Sequence, residues 1–209
     1  AEEQRKGKGR LGRSWISPPK GGIYFSCVLR PEMSPDRVSQ ITLAASVSVA
    51  KAVRELTGLQ AMIRWPNDIL VNDRKICGIL TEMKAEQDTV RFLIVGIGIN
   101  ANTSKEGLPD AASSLEAESG IPVSRIRLAQ MIIRELERSY VTLINESFLP
   151  IRDEWKQLTH MLGSRVTITI LKRTIEGQAI DIDNDGALLV RLDNGFIERI
   201  SSGDVTIAR

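Results

Sequence analysis

The hydrophobic period of this 209-residue chain changes near Gly163, and that change divides what the chain can fold into. Downstream of it, "RVTITIL", "IEGQAIDID", "GALLVRLD", "GFIERIS" and "DVTIAR" follow a spacing of two, the signature of strands with one buried face. Asn184-Asp185-Gly186 and Asn194-Gly195 separate them with residues that accept the tight backbone of hairpin turns. Five short strands within 47 residues predict a small barrel or sandwich. The boundary is expected near His160, giving units 1–160 and 161–209.

Upstream, the pattern mixes strands and helices. Gly21 to Arg30 is an apolar, β-branched run bounded by prolines and predicts a strand. Ser34 as N-cap, Pro35 at the first helical position and recurring Val38, Ile41, Ala45, Val49, Ala52, Val53 and Leu56 predict a long helix that Gly58 stops. "MIRWP", "DILVN", "KICGILTEMK" and "VRFLIVGIGIN" predict a mostly antiparallel meander, turning at Asn72–Arg74 and at Ala85–Asp88. Residues 101–124 are expected to be a loop or short helical turns. A second long helix follows Ser124, with apolar positions Leu128, Ile132, Ile133, Leu136, Tyr140, Leu143 and Ile144, and a shorter one follows Pro150. The fold class expected is α+β, a mainly antiparallel sheet with packed helices plus a small C-terminal β-barrel.

Composition removes several function classes. No apolar run reaches the roughly 18 residues that a membrane-spanning helix needs, and no signal peptide is visible, so the cytoplasm is the expected compartment. Cys27 and Cys77 read as reduced thiols, and a single His160 without a cysteine pair gives no zinc site. Charge is uneven: residues 1–30 hold seven Lys or Arg against two Glu, in a chain whose net charge is only +2. Such concentration points to a discrete anion site more than to a broad nucleic-acid surface. The chain opens without methionine, almost directly in motif-like residues, and is expected to be part of a longer protein.

The basic excess sits in "EEQRKGKGRLGRSW". Gly7-Lys8-Gly9-Arg10-Leu11-Gly12 formally matches G-x-G-x-x-G, but no strand precedes it, and Pro18, Pro19, Gly21 and Gly22 prevent a helix from following. A dinucleotide fold is therefore excluded by context. What remains is a glycine loop whose backbone can approach a ligand and whose Arg10 and Arg13 can grip a carboxylate or phosphate; a solvated basic turn would have the same composition. In "RWPNDILVNDRKICGIL", a hairpin would bring Asp68 beside Lys75, a carboxylate able to hold a metal next to an ammonium able to reach an anion; a capped turn with a snorkelling lysine is the alternative. In "VGIGIN", glycines within a strand mark either ligand approach or tight packing, and Asn100 could offer a donor and an acceptor to a purine.

Taken together and in this order, "GKGRLGRSW", "WPND…K…G" and "GIGIN" resemble the biotin protein ligases, and the C-terminal "GQAIDIDNDGALLV" is similar to the SH3-like barrel of that family. The resemblance implies a class II synthetase-like catalytic unit, biotin and MgATP as substrates, and a biotinyl-5′-adenylate passed to a lysine of the biotin carboxyl carrier protein of acetyl-CoA carboxylase. It also implies residue roles. Gln4 would bond the ureido group, and Gly7, Lys8, Gly9 and Arg10 would wrap biotin's carboxylate and the joined phosphate. Gly78 would let the chain pass close to the bicyclic ring. Arg13 would contact ATP phosphates, Asn67 and Asp68 the adenylate, with Asp68 placing Mg2+, Asn100 the adenine, and Trp15 would close the loop. Lys75 and Arg10 are the catalytic candidates. Relatives form dimers, some only with ligand bound, so a homodimer is left open by the sequence, and no membrane contact is expected.

Departures accompany the likeness. Lys8 stands where the family usually has arginine, and Arg64 where lysine is more usual. The family's upstream Ser-Thr-Asn segment and the helix-turn-helix of some bacterial members are not in these residues, so no DNA binding is expected from this stretch. No aromatic residue between Asn102 and Gly120 matches the one that stacks on adenine in some relatives. A lipoate–protein ligase is the related alternative. A noncatalytic nucleic-acid module is disfavoured because Phe196 is the barrel segment's sole aromatic.

Overall fold

Helix α1 (Val38–Thr57) organises the larger unit of the computed structural model, which describes residues 1–171 and 173–208. Its sequence is rich in Ala, Ser and Val, so neighbours approach closely on several sides. Leu43, Val47, Val49 and Val53 are at most 1% exposed, each such side chain contributing about 1.5–3 kcal/mol. Buried Ser46 and Ser48 donate to the Thr42 and Ala44 carbonyls one turn back, which satisfies hydroxyls that would otherwise be costly. Gly58, at φ +73, ends the helix. The start differs from expectation. Residues Pro35–Arg37 form a 3-10 turn, and the Ser34 side chain makes no capping bond, because the turn bends the chain before the helix begins.

The sheet beneath α1 runs β1 (Gly22–Leu29), β5 (Thr89–Asn100), β4 (Arg74–Glu86), β3 (Asp68–Val71) and β2 (Met62–Arg64), antiparallel throughout. The turn between β3 and β4 is Asn72-Asp73, both at positive φ, the conformation a two-residue hairpin requires. Between β4 and β5 the turn is at Gln87 and Asp88; Ala85 and Glu86 still belong to the strand. Alternation assigns the faces. Cys77, Ile79, Leu93, Val95, Ile97 and Ile99 face the helical core, while Gly78, Leu80, Glu82, Ile94, Gly96 and Gly98 look the other way.

Helices α2 (Leu115–Ser119), α3 (Arg125–Asn145) and α4 (Leu149–Gln157) follow. Ser124 caps α3 by accepting from the Arg127 amide. Leu128, Ile132, Leu136 and Leu143 of α3 are buried as the spacing predicts, whereas Ile133 and Ile144 are exposed. They lie just past the edge of the contact stripe, since α3 packs chiefly on α1 alone.

The second sheet is ordered β10 (Asp204–Ile207), β6 (Arg165–Ile170), β7 (Arg173–Ile182), β8 (Leu188–Arg191), β9 (Ile197–Ile200). Gly186 and Gly195 take positive φ at the two predicted turns. Arg209, included in the last predicted strand, lies outside the described residues. This sheet docks on the first unit through the β7–β8 turn. Trp65 Nε1 donates to the Gly186 carbonyl at 3.0 Å, and Gln40 Nε2 to that of Asn184 at 2.7 Å. Among the described residues, no helix is long and apolar enough to cross a membrane.

Candidate active site

The helix-free face of the first sheet is the floor of the site. Gly78 of β4 pairs with Gly98 of β5, and Gly96 pairs with both Leu80 and Ser26, so the centre of the floor carries almost no side chains. Trp15 lies over the Gly78–Gly98 pair: a Cβ at Gly98 would fall 2.6 Å from the indole Nε1, and one at Gly78 2.9 Å from Cζ3. Glycine is required at both positions for that approach.

Residues 4–17 fold over the floor as a lid. Bridges Gln4–Ser17 and Lys8–Ser14 make it a short hairpin, and the Gly9 amide donates to the Arg13 carbonyl at 2.6 Å. The lid is therefore internally tied, and the Gly9 N–H, read from sequence as open to a ligand, already has a partner. Gln4 accepts from the Ser17 hydroxyl at 2.7 Å, and exposed Lys8 stands 3.4 Å from Glu82. A cleft of about 370 Å³ lies between lid and floor, lined by Gln4, Lys8, Gly9, Arg10, Arg13, Trp15, Asn67, Asp68, Lys75 and Gly78 among others. That is within the size range of small-molecule sites, roughly 300–1,000 Å³. Ten of the twelve residues singled out from sequence thus line one space, while Asn100 lines a neighbouring cavity. Gly7 instead supports the lid, its carbonyl accepting from the Trp15 amide at 2.9 Å.

At the cleft wall, the β3–β4 hairpin brings Asp68 and Lys75 together as its turn dictates: Lys75 Nζ is 2.6 Å from Asp68 Oδ1. The other carboxylate oxygen receives Arg64 Nη2 at 2.7 Å. Lys75 also stands over the Trp15 ring, 5.4 Å from its centroid. Asp68 thus holds two cations at the cleft. Among the described residues no group of three or more His, Cys, Asp or Glu is placed to hold a metal, and this carboxylate is already engaged. The residues do not fit a resident Mg2+.

Arg10 crosses to the second sheet. It donates to Asn67 Oδ1 at 2.9 Å and to the Gly203 carbonyl at 3.3 Å. Asn67 in turn donates to the Ile79 carbonyl at 2.9 Å, so its amide is consumed in holding Arg10. Burial holds the Arg10 guanidinium below its ordinary pKa, with Asp68 opposing and Arg13 adding to the shift. A half-buried cation bonded by neutral oxygens retains unspent attraction for an anion. Arg13 pairs with Asp204.

Asn100 lies beyond Trp15, in a neighbouring cavity of about 200 Å³ lined also by Arg64, Lys75, Leu108, Pro109, Ala111 and Ala112. Its amide donates to the Ser113 carbonyl at 3.0 Å, leaving Oδ1 buried without a hydrogen-bond partner among the described residues. Sequence reasoning missed Leu80, Gly96 and Gly98 of the floor, although "VGIGIN" carried the signal. It also missed Gly203 and Asp204, for which separation by about 190 residues left none.

A glycine-floored cleft ringed by cations and roofed by a basic hairpin has the charge of an anion site. Residues 1–100 match the family model described as the Biotin/lipoate A/B protein ligase family, and residues 161–207 that of the Biotin protein ligase C terminal domain. The chain is 31% identical to the biotin–acetyl-CoA-carboxylase ligase of Paracoccus denitrificans, over 91% of this chain and 82% of that protein. It is 38% identical to the bifunctional ligase/repressor BirA of Bacillus spizizenii, over 99% of this chain. Of that relative's length it spans 65%. A biotin protein ligase from Aquifex aeolicus, solved in complex with biotin and ATP, superposes with a TM-score of 0.84 at 28% identity, covering 100% of this chain and 87% of that one. The chain belongs to the biotin protein ligase family.

Gly98→Ala is expected to push the Trp15 indole off the floor, changing tryptophan fluorescence while secondary structure by circular dichroism stays unchanged.

Proposed function

We propose that this chain carries the adenylating and transferring site of a biotin–acetyl-CoA-carboxylase ligase, residues 1–160 forming the catalytic unit and 161–209 its C-terminal partner. One observation carries the reading: Lys75, Arg10 and Arg13 converge on a cleft of about 370 Å³ beneath the glycine-rich basic hairpin. A carboxylate oxygen of biotin attacks the α-phosphorus of ATP, and the bond from that phosphorus to the α,β-bridging oxygen breaks as pyrophosphate leaves. An ε-amine of the biotin carboxyl carrier protein then attacks the acyl carbon, forming the amide and releasing AMP and a proton.

Lys75 and Arg10 supply fixed positive charge where the α-phosphoryl oxygens gain negative charge, in a site shielded from water. Asp68, 2.6 Å away, holds Lys75 in place at the cleft wall. Mg2+ enters with the triphosphate as part of the substrate, most of its ligands being phosphate and water oxygens. Gly96 and Gly98 join Gly78 beneath the ring, Gln4 reaches its ureido group, and Asn100 meets the adenine. Support for the nucleotide end comes from Asn100 Oδ1, a buried acceptor suited to an exocyclic amine.

Biotin-dependent pyrophosphate release, with lipoate as the control acid, tests the reading. Release with biotin alone of the two supports it; release with neither, or with lipoate only, overturns it. Asp204→Asn frees Arg13 for the phosphates and is expected to lower KM for ATP no more than about fivefold, because an exposed ion pair is worth about 0–1 kcal/mol.

A further inference from the structure

Lys75 is gripped by its backbone from two sides. On one side it pairs with Leu70 of β3. On the other, its amide donates to the Ala111 carbonyl at 3.0 Å, and its own carbonyl accepts from the Ser113 amide at 3.0 Å. The segment 108–113 is thus a strap laid along the start of β4. The Ser113 carbonyl also receives the Asn100 side chain, so one residue touches both Lys75 and Asn100.

The strap leads directly into α2, and α2 returns to the same hairpin. Glu118, its carboxylate side chain 2% exposed, lies 2.8 Å from Arg74 Nη2 and accepts from Asn72 Nδ2 at 2.8 Å. The closed path therefore runs Lys75, Ala111–Ser113, α2, Glu118, Arg74 and back to Lys75 through one peptide bond. Within it lies the wall of the cavity that Leu108, Pro109, Ala111 and Ala112 share with Asn100 and Arg64.

Resting on the adenylation reading above, we propose that Glu118 is a positioning residue for the nucleotide, its pairing with Arg74 and Asn72 setting the distance between the strap and Lys75. The segment 101–120 contains no Phe, Tyr or Trp, so no ring is available there to stack on a purine. The ring that lines this cavity is Trp15, on the lid side, and the strap's placement sets the cavity's width against it. A buried carboxylate with two charged or polar partners fixes such a placement, since moving it would leave a buried charge unpaired. Arg74 is 44% exposed on its side chain, so it can be rehydrated when Glu118 is removed, and the fold is expected to survive.

The test is steady-state pyrophosphate release by Glu118→Ala and Glu118→Gln, with Arg74→Met and the double variant Arg74→Met/Glu118→Ala. Each single variant is expected to raise KM for ATP about tenfold with kcat changed less than about twofold. The double variant should cost little more than either single one, as members of one unit do. Arg74→Lys should remain within about threefold of the parent. Biotin affinity, measured by calorimetry without nucleotide, should stay at the parent value in all of them. An unchanged KM for ATP, or equal losses of ATP and biotin affinity, overturns the proposal; Glu118→Gln, nearly isosteric, decides should Glu118→Ala fail to fold. A parent protein without biotin-dependent release would instead overturn the adenylation reading, independently of these variants.

Discussion

Lys75→Ala is expected to cut biotin-dependent pyrophosphate release by at least about 10²-fold, the cost of removing one preorganised charge from a developing oxyanion. Its Nζ is the cation closest to the cleft's carboxylate, 2.6 Å from Asp68 Oδ1, and it is held in place by the strap and by the Trp15 ring. The side chain makes no contribution to the core, and Asp68 keeps Arg64 as a counter-ion after the change. Thermal unfolding should therefore shift little while the chemical step collapses. Single-turnover mixing with saturating biotin and ATP separates the two; activity within about threefold of the parent removes Lys75 from the chemistry.

Arg10→Gly is expected to fail differently. Its guanidinium ties the lid to Asn67 on one side and to Gly203, between β9 and β10, on the other, so its loss removes the lid's part-buried hydrogen bonds to both units and leaves the exposed Arg13–Asp204 and Lys8–Glu82 pairs. Adenylate would still form at Lys75, more slowly for want of the Arg10 charge, but the roof that keeps a reactive mixed anhydride from water and from foreign amines would open. Release of biotinyl-adenylate into solution should rise about tenfold or more, detectable as biotinylation of lysines on an unrelated bystander protein. Release at the parent rate, with adenylation intact, would mean that the lid is anchored elsewhere.

The approach of Asp68 to Lys75 is legible in sequence because it is local: seven residues with Asn72-Asp73 between them fold into one hairpin, and the turn sets the distance. The floor is half legible. Glycines within "VGIGIN" announce a close approach, but which residue comes close depends on the pairing of β4 with β5 and on where Trp15 falls. The lid's anchorage is not legible, since Arg10 meets Gly203 only after two sheets have docked. Glu118 was invisible for a related reason. On a five-residue helix it reads as an ordinary exposed acid until tertiary structure buries it against Arg74. The misplacement of Ser34 as a cap has a local cause, a 3-10 turn competing with the first turn of α1, which propensity alone does not separate.

The docking of the β7–β8 turn, with Trp65 on the Gly186 carbonyl and Gln40 on that of Asn184, has a consequence for building chimaeras. Gly186 sits against Leu43 of α1, where an added Cβ would come within 2.8 Å of a side-chain methyl. A C-terminal unit transplanted from a distant relative would need to reproduce this seat and, at its other end, present a carbonyl to Arg10 at the height of Gly203. Satisfying one without the other would give a hybrid that folds yet leaves its roof unlatched, so recombination between relatives should respect the two contacts as a pair.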